Sequence, residues 1–377
     1  MRTAGIICEY NPFHLGHQKQ IDLTRAELGA DTGIVCLMSG NYVQRGEPAV
    51  FDKWSRAESA VKGGADLVLE LPITTALNAG GYFASGAVRY LHALGGIDYL
   101  SFGSECGDLT GLKQTAELLM SSQFEEEMAK SLSTGVSYAA ARSKALSSLE
   151  GDGALLEKAN NALGVDYLRA LLELGSKIEP ITVKRDMSLL SASTIREGMG
   201  EEGWIDHVPE DGCIKNLPKH TLKNGERAIL GILRTLPDAA FEAMAFGSEG
   251  LWSKFMKAAR KESSVEEILM GTKSKRYAYS RIRRMLMCLV LGLGEKEMEM
   301  ESPYLRVLAF NDRGRQLLRQ LSEKSALPLI SGAIPKTPEA KAYFALEQRA
   351  TDLYGLFAPE GETPSCGLEK STPPRIV

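Results

Sequence analysis

The first 110 or so residues alternate between short β-rich runs and amphipathic helical runs, and this alternation strongly limits the possible folds. The pattern predicts strands over residues 3–8, 32–38, 67–71 and 99–102, with helices over 16–28, 54–63 and 81–93 between them. Strands that alternate with helices of this length form a parallel sheet covered on both faces. We therefore predict an α/β fold with a doubly wound, Rossmann-like sheet. Ligands of such sheets bind beyond the carboxyl ends of the strands.

The pattern changes near residue 205. A further strand is predicted over residues 178–183, but beyond residue 205 helical periodicity dominates, as over 225–236, 265–270, 279–291 and 313–321. We predict two domains, an α/β domain over residues 1–204 and a mainly helical domain over residues 205–377. The segment 359–377 is rich in Pro, Gly, Ser and Thr, so we expect it to be frayed.

Composition narrows the class of protein. The chain has 377 residues, of which 44% are hydrophobic and 24% are charged, values typical of a soluble globular protein. No stretch approaches the ~20 apolar residues that a membrane span needs, and the N-terminal apolar run is too short for a secretory signal. The six cysteines form no CxxC pair, so we expect reduced thiols and a cytoplasmic location. The net charge of -4 argues against a surface that is basic all over, but not against one local basic face.

The junction between the first predicted strand and the first helix carries two histidines. Asn11-Pro12 forms a turn, and His14 and His17 share one face of the first helical turn, with Gly16 between them. A helix start offers unpaired N–H groups to an anion. Two imidazoles aimed at one anion suit a reaction in which charge builds on a phosphate oxygen. The alternative is a pair of histidines that cap a surface helix, but the preceding strand and turn favour the chemical role.

A second polar motif follows the strand predicted at residues 178–183. Ser193 and Thr194 offer hydroxyls that can cap a helix, and Arg196 offers a guanidinium fork for phosphate oxygens. Taken alone, this motif favours an ordinary helix cap with a surface arginine. Its combination with the histidine pair favours phosphate binding.

The HxGH pattern at a strand–helix junction is the signature of the nucleotidyltransferase superfamily, and the second motif resembles that superfamily's Ser/Thr–Arg motif. Longer runs resemble one family more closely, the bacterial tRNA(Met) cytidine acetate ligases. These runs lie at residues 5–14, 38–49, 70–72, 102–105 and 160–164, with looser similarity at 272–277 and 304–308. The most specific is Gln44-Arg45-Gly46-Glu47-Pro48. The resemblance runs from residue 1 to about residue 200.

This resemblance implies a nucleotidyltransferase domain that activates acetate with ATP as acetyl-adenylate. The acetyl group then passes to N4 of the wobble cytidine of elongator tRNA(Met). ATP is expected to bring Mg²⁺, for which we name no protein ligand. His14 and His17 would be catalytic, and the segment 186–190 is shorter than the family usually has. The implied ATP-binding residues are Ile7, Cys8, Glu9, Tyr10, Asn11, Pro12, Phe13, His14, Gly16, His17, Gln20, Gly103, Asn160, Asn161, Arg185, Ser193, Thr194 and Arg196.

A basic run with interleaved tyrosines is the candidate tRNA-binding surface. Basic side chains can contact phosphates, and aromatic rings can stack on unpaired bases. The alternative is a solvated helix face. The predicted RNA-binding residues are Lys273, Lys275, Arg276, Tyr277, Arg281 and Arg284, with Arg283 and Tyr279 in the same run.

Two other functions use the same motifs. A small-molecule adenylyltransferase would join AMP to a phosphorylated cofactor precursor, and an RNA-binding module would keep the fold without catalysis. Small-molecule members manage with the α/β domain alone, so the large helical region favours a macromolecular substrate. The intact His14, His17 and Arg196 argue against lost catalysis. The sequence points to no oligomeric state.

Overall fold

The computed structural model of the chain describes residues 1–136, 138–149, 151–200, 203–209, 214–274, 277–362 and 366–377. Its strands are β1 (Thr3–Cys8), β2 (Gly33–Ser39), β3 (Tyr42–Val43), β4 (Glu47–Pro48), β5 (Leu67–Leu71), β6 (Tyr99–Ser104), β7 (Glu179–Lys184), β8 (Leu305–Phe310), β9 (Leu329–Ile330) and β10 (Arg375–Ile376).

The helices of the first half are α1 (Leu15–Leu28), α2 (Lys53–Lys62), α3 (Ile73–Ala76), α4 (Gly80–Ala93), α5 (Leu109–Leu118), α6 (Ser122–Ser133), α7 (Tyr138–Ser148), α8 (Ala159–Glu173) and α9 (Ala192–Glu197). Those of the second half are α10 (Glu226–Thr235), α11 (Asp238–Glu242), α12 (Leu251–Lys261), α13 (Val265–Thr272), α14 (Tyr279–Leu291), α15 (Glu295–Met298), α16 (Asp312–Lys324), α17 (Pro338–Tyr354) and α18 (Leu368–Ser371). Short 3₁₀ helices span Gly153–Glu157, Gly198–Gly200, Trp204–His207 and Gly355–Phe357.

The main sheet has the strand order β10-β8-β5-β2-β1-β6-β7, with β9 paired to β8. The strands β5, β2, β1, β6 and β7 are parallel, and the chain builds outward from β1 first on one side and then on the other. This order confirms the doubly wound sheet. It places a topological switch point between β1 and β6, where ligands of such sheets bind.

The alternation of side chains along β2 shows why both faces of the sheet are covered. Val35 and Leu37 face the apolar core under α4 and α8, whereas Ile34, Cys36 and Met38 face the core under α1 and α2. Successive side chains of a strand point to opposite faces, so an entirely apolar strand needs a helical layer on each side. All seven residues of β2 are buried.

The region beyond residue 205 is mainly helical, as predicted, and has its own apolar core. This core joins side chains such as Phe241, Phe255 and Met285 with Tyr42 and Leu77 from the α/β region. The same region also returns to the sheet, because β8 pairs antiparallel with β5 and so covers that edge. The sequence reading missed this strand, and the boundary at residue 204/205 stays a prediction.

The expectation that the C-terminal segment is frayed is wrong for residues 366–377. Glu369 is 1% exposed, and its carboxylate lies 2.7 Å from Lys53 Nζ and 2.7 Å from Arg306 Nε. Glu70 also contacts Lys53 at 2.7 Å, so this buried cluster joins α2, β5, β8 and α18. Removing one partner from such a cluster leaves an uncompensated buried charge, which costs about 3–5 kcal/mol.

Within the described residues, no helix is both long enough and apolar enough to cross a lipid bilayer.

Candidate active site

A cavity of about 530 Å³ lies at the switch point of the sheet. Its walls come from the carboxyl ends of β1, β6 and β7, from the first turns of α1 and α8, and from the segment that leads into α9. This is where the order of parallel strands predicts a ligand, and the volume is that of an ordinary small-molecule site.

His14 and His17 pack against each other in this cavity, with ring centroids 3.7 Å apart and ring planes tilted by 31°. His14 caps α1, and its Nδ1 accepts from the Gly16 N–H at 3.0 Å, while His17 Nδ1 accepts from the His14 N–H at 3.3 Å. A neutral imidazole whose Nδ1 accepts carries its proton on Nε2. Both rings therefore have an Nε2–H to donate.

Several backbone N–H groups of this turn, which the sequence suggested as donors to an anion, are already paired within the turn. The N–H of Gly16 bonds His14 Nδ1, and the N–H groups of His17 and Gln18 bond the His14 carbonyl oxygen at 2.8 and 3.2 Å. Since these backbone donors are already paired, an anion at this turn would depend largely on the Nε2–H groups of the imidazole rings.

Both imidazoles are held in the neutral state. Burial, with the Arg185 guanidinium and His207 nearby, lowers the pKa of His14 from 6.5 to about 4. Burial, His14 and Arg185 likewise lower the pKa of His17 well below its usual value. Near neutral pH the pair therefore donates hydrogen bonds without carrying charge.

Glu105, Asn160 and Asn161 form a hydrogen-bonded group at the end of β6, and of these Asn160 lines the cavity. Glu105 accepts from Asn160 Nδ2 at 2.6 Å and from the Asn161 N–H at 2.9 Å, and Asn161 Oδ1 in turn accepts from the Glu105 N–H at 2.9 Å. Burial alone would raise the pKa of Glu105, but the hydrogen bonds from Asn160 and Asn161 outweigh it and lower that pKa. These bonds join the end of β6 to the start of α8.

Two cationic side chains line the cavity at the end of β7. Lys184 and Arg185 both line it, and Arg185 Nη1 lies 3.6 Å from Glu105 Oε1. The short segment 186–190 that follows lies against α1, because Asp186 Oδ2 contacts Lys19 Nζ at 2.6 Å. This ion pair holds the segment that follows Arg185 against α1.

Arg196, in the second motif, lies at the join between α9 and the Asn-Pro turn. Its Nη1 donates to the Asn11 carbonyl oxygen at 2.5 Å, and its Nη2 lies 3.6 Å from Glu47 Oε1. Glu47 Oε2 also accepts from Arg283 Nη1 at 2.8 Å. Glu47 therefore links the second motif to α14 of the helical region.

The loop between β2 and α2 is fixed against the helical region as well. Gly46 has a positive φ of 73°, and a Cβ there would clash with the backbone of Arg284. The Gln44 N–H donates to Glu9 Oε1 at 2.7 Å, which holds the loop beside the end of β1. A glycine is thus required between Arg45 and Glu47, in the run that most specifically carried the resemblance.

Most of the predicted ATP-binding residues line this one cavity. They are Ile7, Cys8, Glu9, Tyr10, Asn11, His14, Gly16, His17, Gln20, Gly103, Asn160, Arg185 and Arg196.

Five predicted residues do not line it. Pro12 is buried, Phe13 is fully buried against α2, and Asn161 is 3% exposed and bonds the backbone of Glu105. The hydroxyl of Ser191, not those of Ser193 or Thr194, caps α9 by accepting from the Thr194 N–H. The prediction that a hydroxyl of this Ser/Thr cluster caps the helix is confirmed, but the capping residue is Ser191.

Other lining residues were not predicted. Lys19, Gln44, Arg45 and Lys184 line the cavity, as does Asp166, which pairs with Arg142 at 2.7 Å. The dipeptides Gln44-Arg45 and Lys184-Arg185 stood in the motifs already noted, so a signal for them existed. Asp166 lies inside α8 and had no local signal.

The predicted RNA-binding run separates into different environments. Lys273 is exposed, and Tyr277 and Arg281 are half-buried, with the Arg281 guanidinium 4.8 Å from the Tyr277 ring centroid. Arg284 is only 9% exposed and donates to the Gln44 carbonyl oxygen at 3.2 Å, so its prediction as an RNA contact does not fit its position. Lys275 and Arg276 lie outside the described residues.

No group of three or more His, Cys, Asp or Glu side chains that could hold a metal ion occurs in the part of the chain that the structure describes. The carboxylates that line the cavity are already paired, Glu9 with the Gln44 N–H, Asp166 with Arg142 and Asp186 with Lys19. The described residues therefore offer no ready protein cage for Mg²⁺.

Comparison with known proteins agrees with this geometry. The family model for HIGH nucleotidyl transferases matches residues 1–366. The tRNA(Met) cytidine acetate ligase of Acetivibrio thermocellus is 35% identical, with 94% of each chain covered, and that of Caldanaerobacter subterraneus subsp. tengcongensis is 37% identical, with 94% of this chain and 95% of the relative covered.

A crystal structure of Thermotoga maritima TmcAL bound with alpha-thio ATP superposes on this chain with a TM-score of 0.92 and 32% sequence identity, and each chain is covered completely. The apo form of the same protein gives a TM-score of 0.90. Together with the His14–His17 pair at the switch point, these similarities show that the chain belongs to the tRNA(Met) cytidine acetate ligase family of HIGH nucleotidyl transferases.

Proposed function

We propose that this chain is an ATP-dependent ligase that activates acetate as acetyl-adenylate and acetylates N4 of the wobble cytidine of elongator tRNA(Met). The observation that carries the proposal is the closely packed, neutral His14–His17 pair in the switch-point cavity. The names of the relatives and the ATP analogue bound by the Thermotoga maritima protein support it. In this proposal residues 1–204 carry the chemistry and residues 205–377 hold the tRNA in the cytoplasm, where tRNA and ATP are available together.

In the first step an acetate oxygen attacks the α-phosphorus of ATP, and pyrophosphate leaves. Negative charge grows on the α-phosphate oxygens as the new bond forms. The Nε2–H groups of His14 and His17 donate to those oxygens, and because both rings are neutral and fixed in place, they need no reorganisation during the step. Donors fixed in this way stabilise the transition state more than the ground state.

The leaving pyrophosphate needs cationic partners. Arg185 and Lys184 reach the cavity from the end of β7, and Arg196 reaches it from α9. Guanidinium groups suit phosphate oxygens because two N–H groups can bond at once. Elsewhere on the cavity wall, Gly103 and Asn160 would lie beside the nucleoside.

In the second step the exocyclic amine of the cytidine attacks the carbonyl carbon of acetyl-adenylate. AMP leaves, the amide bond forms and one amine proton is released. Since the described residues form no metal cage, we expect Mg²⁺ to enter the cavity together with ATP.

The direct test is transfer of labelled acetate to RNA. Purified protein is mixed with ATP, Mg²⁺, labelled acetate and bulk bacterial tRNA, and acid-precipitable label is counted beside reactions that lack tRNA or ATP. We expect label that depends on both. If ATP binds but no label reaches the RNA, the acetate ligase assignment is wrong. A screen of phosphorylated cofactor precursors for pyrophosphate release would then test the small-molecule adenylyltransferase.

A further inference from the structure

A second cavity, of about 770 Å³, lies between the α/β region and the helical region. Arg196 lines both this cavity and the one at the switch point. The remaining walls come from residues 47–50, 199–200, 219–226 and 265–269, and from Arg283. A ligand longer than one nucleotide could therefore occupy both cavities, passing beside Arg196.

The carboxylates of the second cavity are already engaged by protein donors. Glu47 pairs with Arg283 at 2.8 Å and with Arg196 at 3.6 Å. Glu226 accepts from the Val265 N–H at 2.9 Å, and Glu266 accepts from the Tyr279 hydroxyl at 3.2 Å. These bonds satisfy the acidic groups, and the lining holds four cationic side chains against these three carboxylates: Arg196, Lys219, Lys223 and Arg283.

The lysines of this cavity are placed differently. Lys223 is exposed, and within the described residues no carboxylate pairs with it. Lys219 is half-buried, donates to the Met199 carbonyl oxygen and lies 5.1 Å from the Trp204 ring centroid. Lys223 is therefore the lysine best able to take up an incoming phosphate, because binding would break no existing ion pair.

Beside the cavity lie further basic and aromatic side chains of the helical region. Arg283, which lines it, lies 5.4 Å from the Tyr279 ring centroid. Lys273 Nζ lies 5.6 Å from the centroid of the same ring. A path of positive charge thus runs from Lys273 through Arg283 to Arg196. An aromatic ring along such a path suits a nucleic-acid strand, since bases stack on it.

From these observations we propose that the RNA strand beside the acetylated cytidine lies in the second cavity, with Lys223 as a backbone phosphate contact. The cytidine itself would enter the ATP cavity past Arg196. This inference rests on the proposed function, because it identifies where that function's RNA substrate is held.

The test compares Lys223→Ala with Lys341→Ala, an equal change at an exposed lysine that lines neither cavity. Binding of an unmodified elongator tRNA(Met) transcript is measured at several salt concentrations, and acetyl transfer is measured on the same preparations. For Lys223→Ala we expect weaker binding and a slope of log affinity against log salt that is smaller by about one. Lys341→Ala should match the wild-type protein.

Acetate-dependent pyrophosphate exchange needs no RNA, and it reports whether the ATP site of each preparation is intact. If wild-type protein acetylates the tRNA but Lys223→Ala binds it with unchanged affinity and salt slope, the cavity assignment is overturned. If wild-type protein transfers no acetate to tRNA, the proposed function fails instead. The two failures are therefore distinguishable.

Discussion

The turn at residues 11–17 and the basic run at residues 273–284 were both singled out as functional from the sequence, and the structure treats them differently. In the turn, His14 and His17 lie face to face in one cavity. In the run, Arg283 faces Glu47 while the adjacent Arg284 is buried. The two histidines of the compact motif meet in one cavity, whereas neighbouring residues of the longer run lie in different environments.

Geometry explains the difference. The turn lies where a parallel strand ends and a helix begins, so the sheet itself directs its side chains to the switch point. Residues 279–284 of the run lie on α14, where each residue is rotated by about 100° from the one before. Neighbouring residues such as Arg283 and Arg284 must therefore point in different directions. The packing of a helix must be known before the charged residues along it can be assigned to a surface.

The largest effect that would test this comparison is on catalysis. We expect His14→Ala and His17→Ala each to lower acetate-dependent pyrophosphate exchange by about 100- to 1000-fold, because each removes a fixed donor to the reacting phosphate. His92→Ala is the control, since His92 bonds Ser176 far from the cavity. Exchange near the wild-type rate in either variant, with normal thermal unfolding, would remove the histidines from the reaction.

A smaller effect, on the free energy of unfolding and on RNA binding, would distinguish the buried from the exposed residues of the basic run. Arg284→Ala should lower the free energy of unfolding by about 2 kcal/mol, because a buried charged hydrogen bond to the Gln44 carbonyl oxygen is lost. Lys273→Ala should leave stability within about 0.5 kcal/mol and weaken RNA binding instead. Urea unfolding and tRNA binding measure the two properties. Equal stability of the two variants would mean that Arg284 contributes no more than a surface residue.

The smallest effect concerns the neutral state of the histidines. The pKa of His14 is about 4 in the folded protein and about 6.5 when it is exposed, so the unfolded chain takes up the proton first as the pH falls. Stability is therefore lost from about pH 6.5 downward. His14 alone should account for about 1 kcal/mol between pH 7 and pH 5.5. Urea unfolding of wild-type and His14→Gln protein at both pH values gives this contribution by difference, and identical pH slopes would contradict it.

Local patterns predicted much of the fold and part of the site. The strands that became β1, β2, β5, β6 and β7, and the lining positions around His14, follow from periodicity and from motifs that are close in sequence. The sequence reading missed features that depend on distant contacts. The pairing of β8 with β5, the burial of Glu369 beside Lys53 and the cavity around Lys223 each join segments far apart along the chain. No local pattern encodes such contacts.

The antiparallel strand β8 has a consequence for how the protein is made. On the ribosome β5 emerges first, and its partner β8 follows more than 200 residues later. At synthesis rates of roughly 5–20 residues per second, one edge of the sheet stays open for roughly 10 to 50 seconds. An unpaired strand edge can pair with other chains during that time. We therefore expect chaperones to matter most for this protein during synthesis, before β8 pairs with β5.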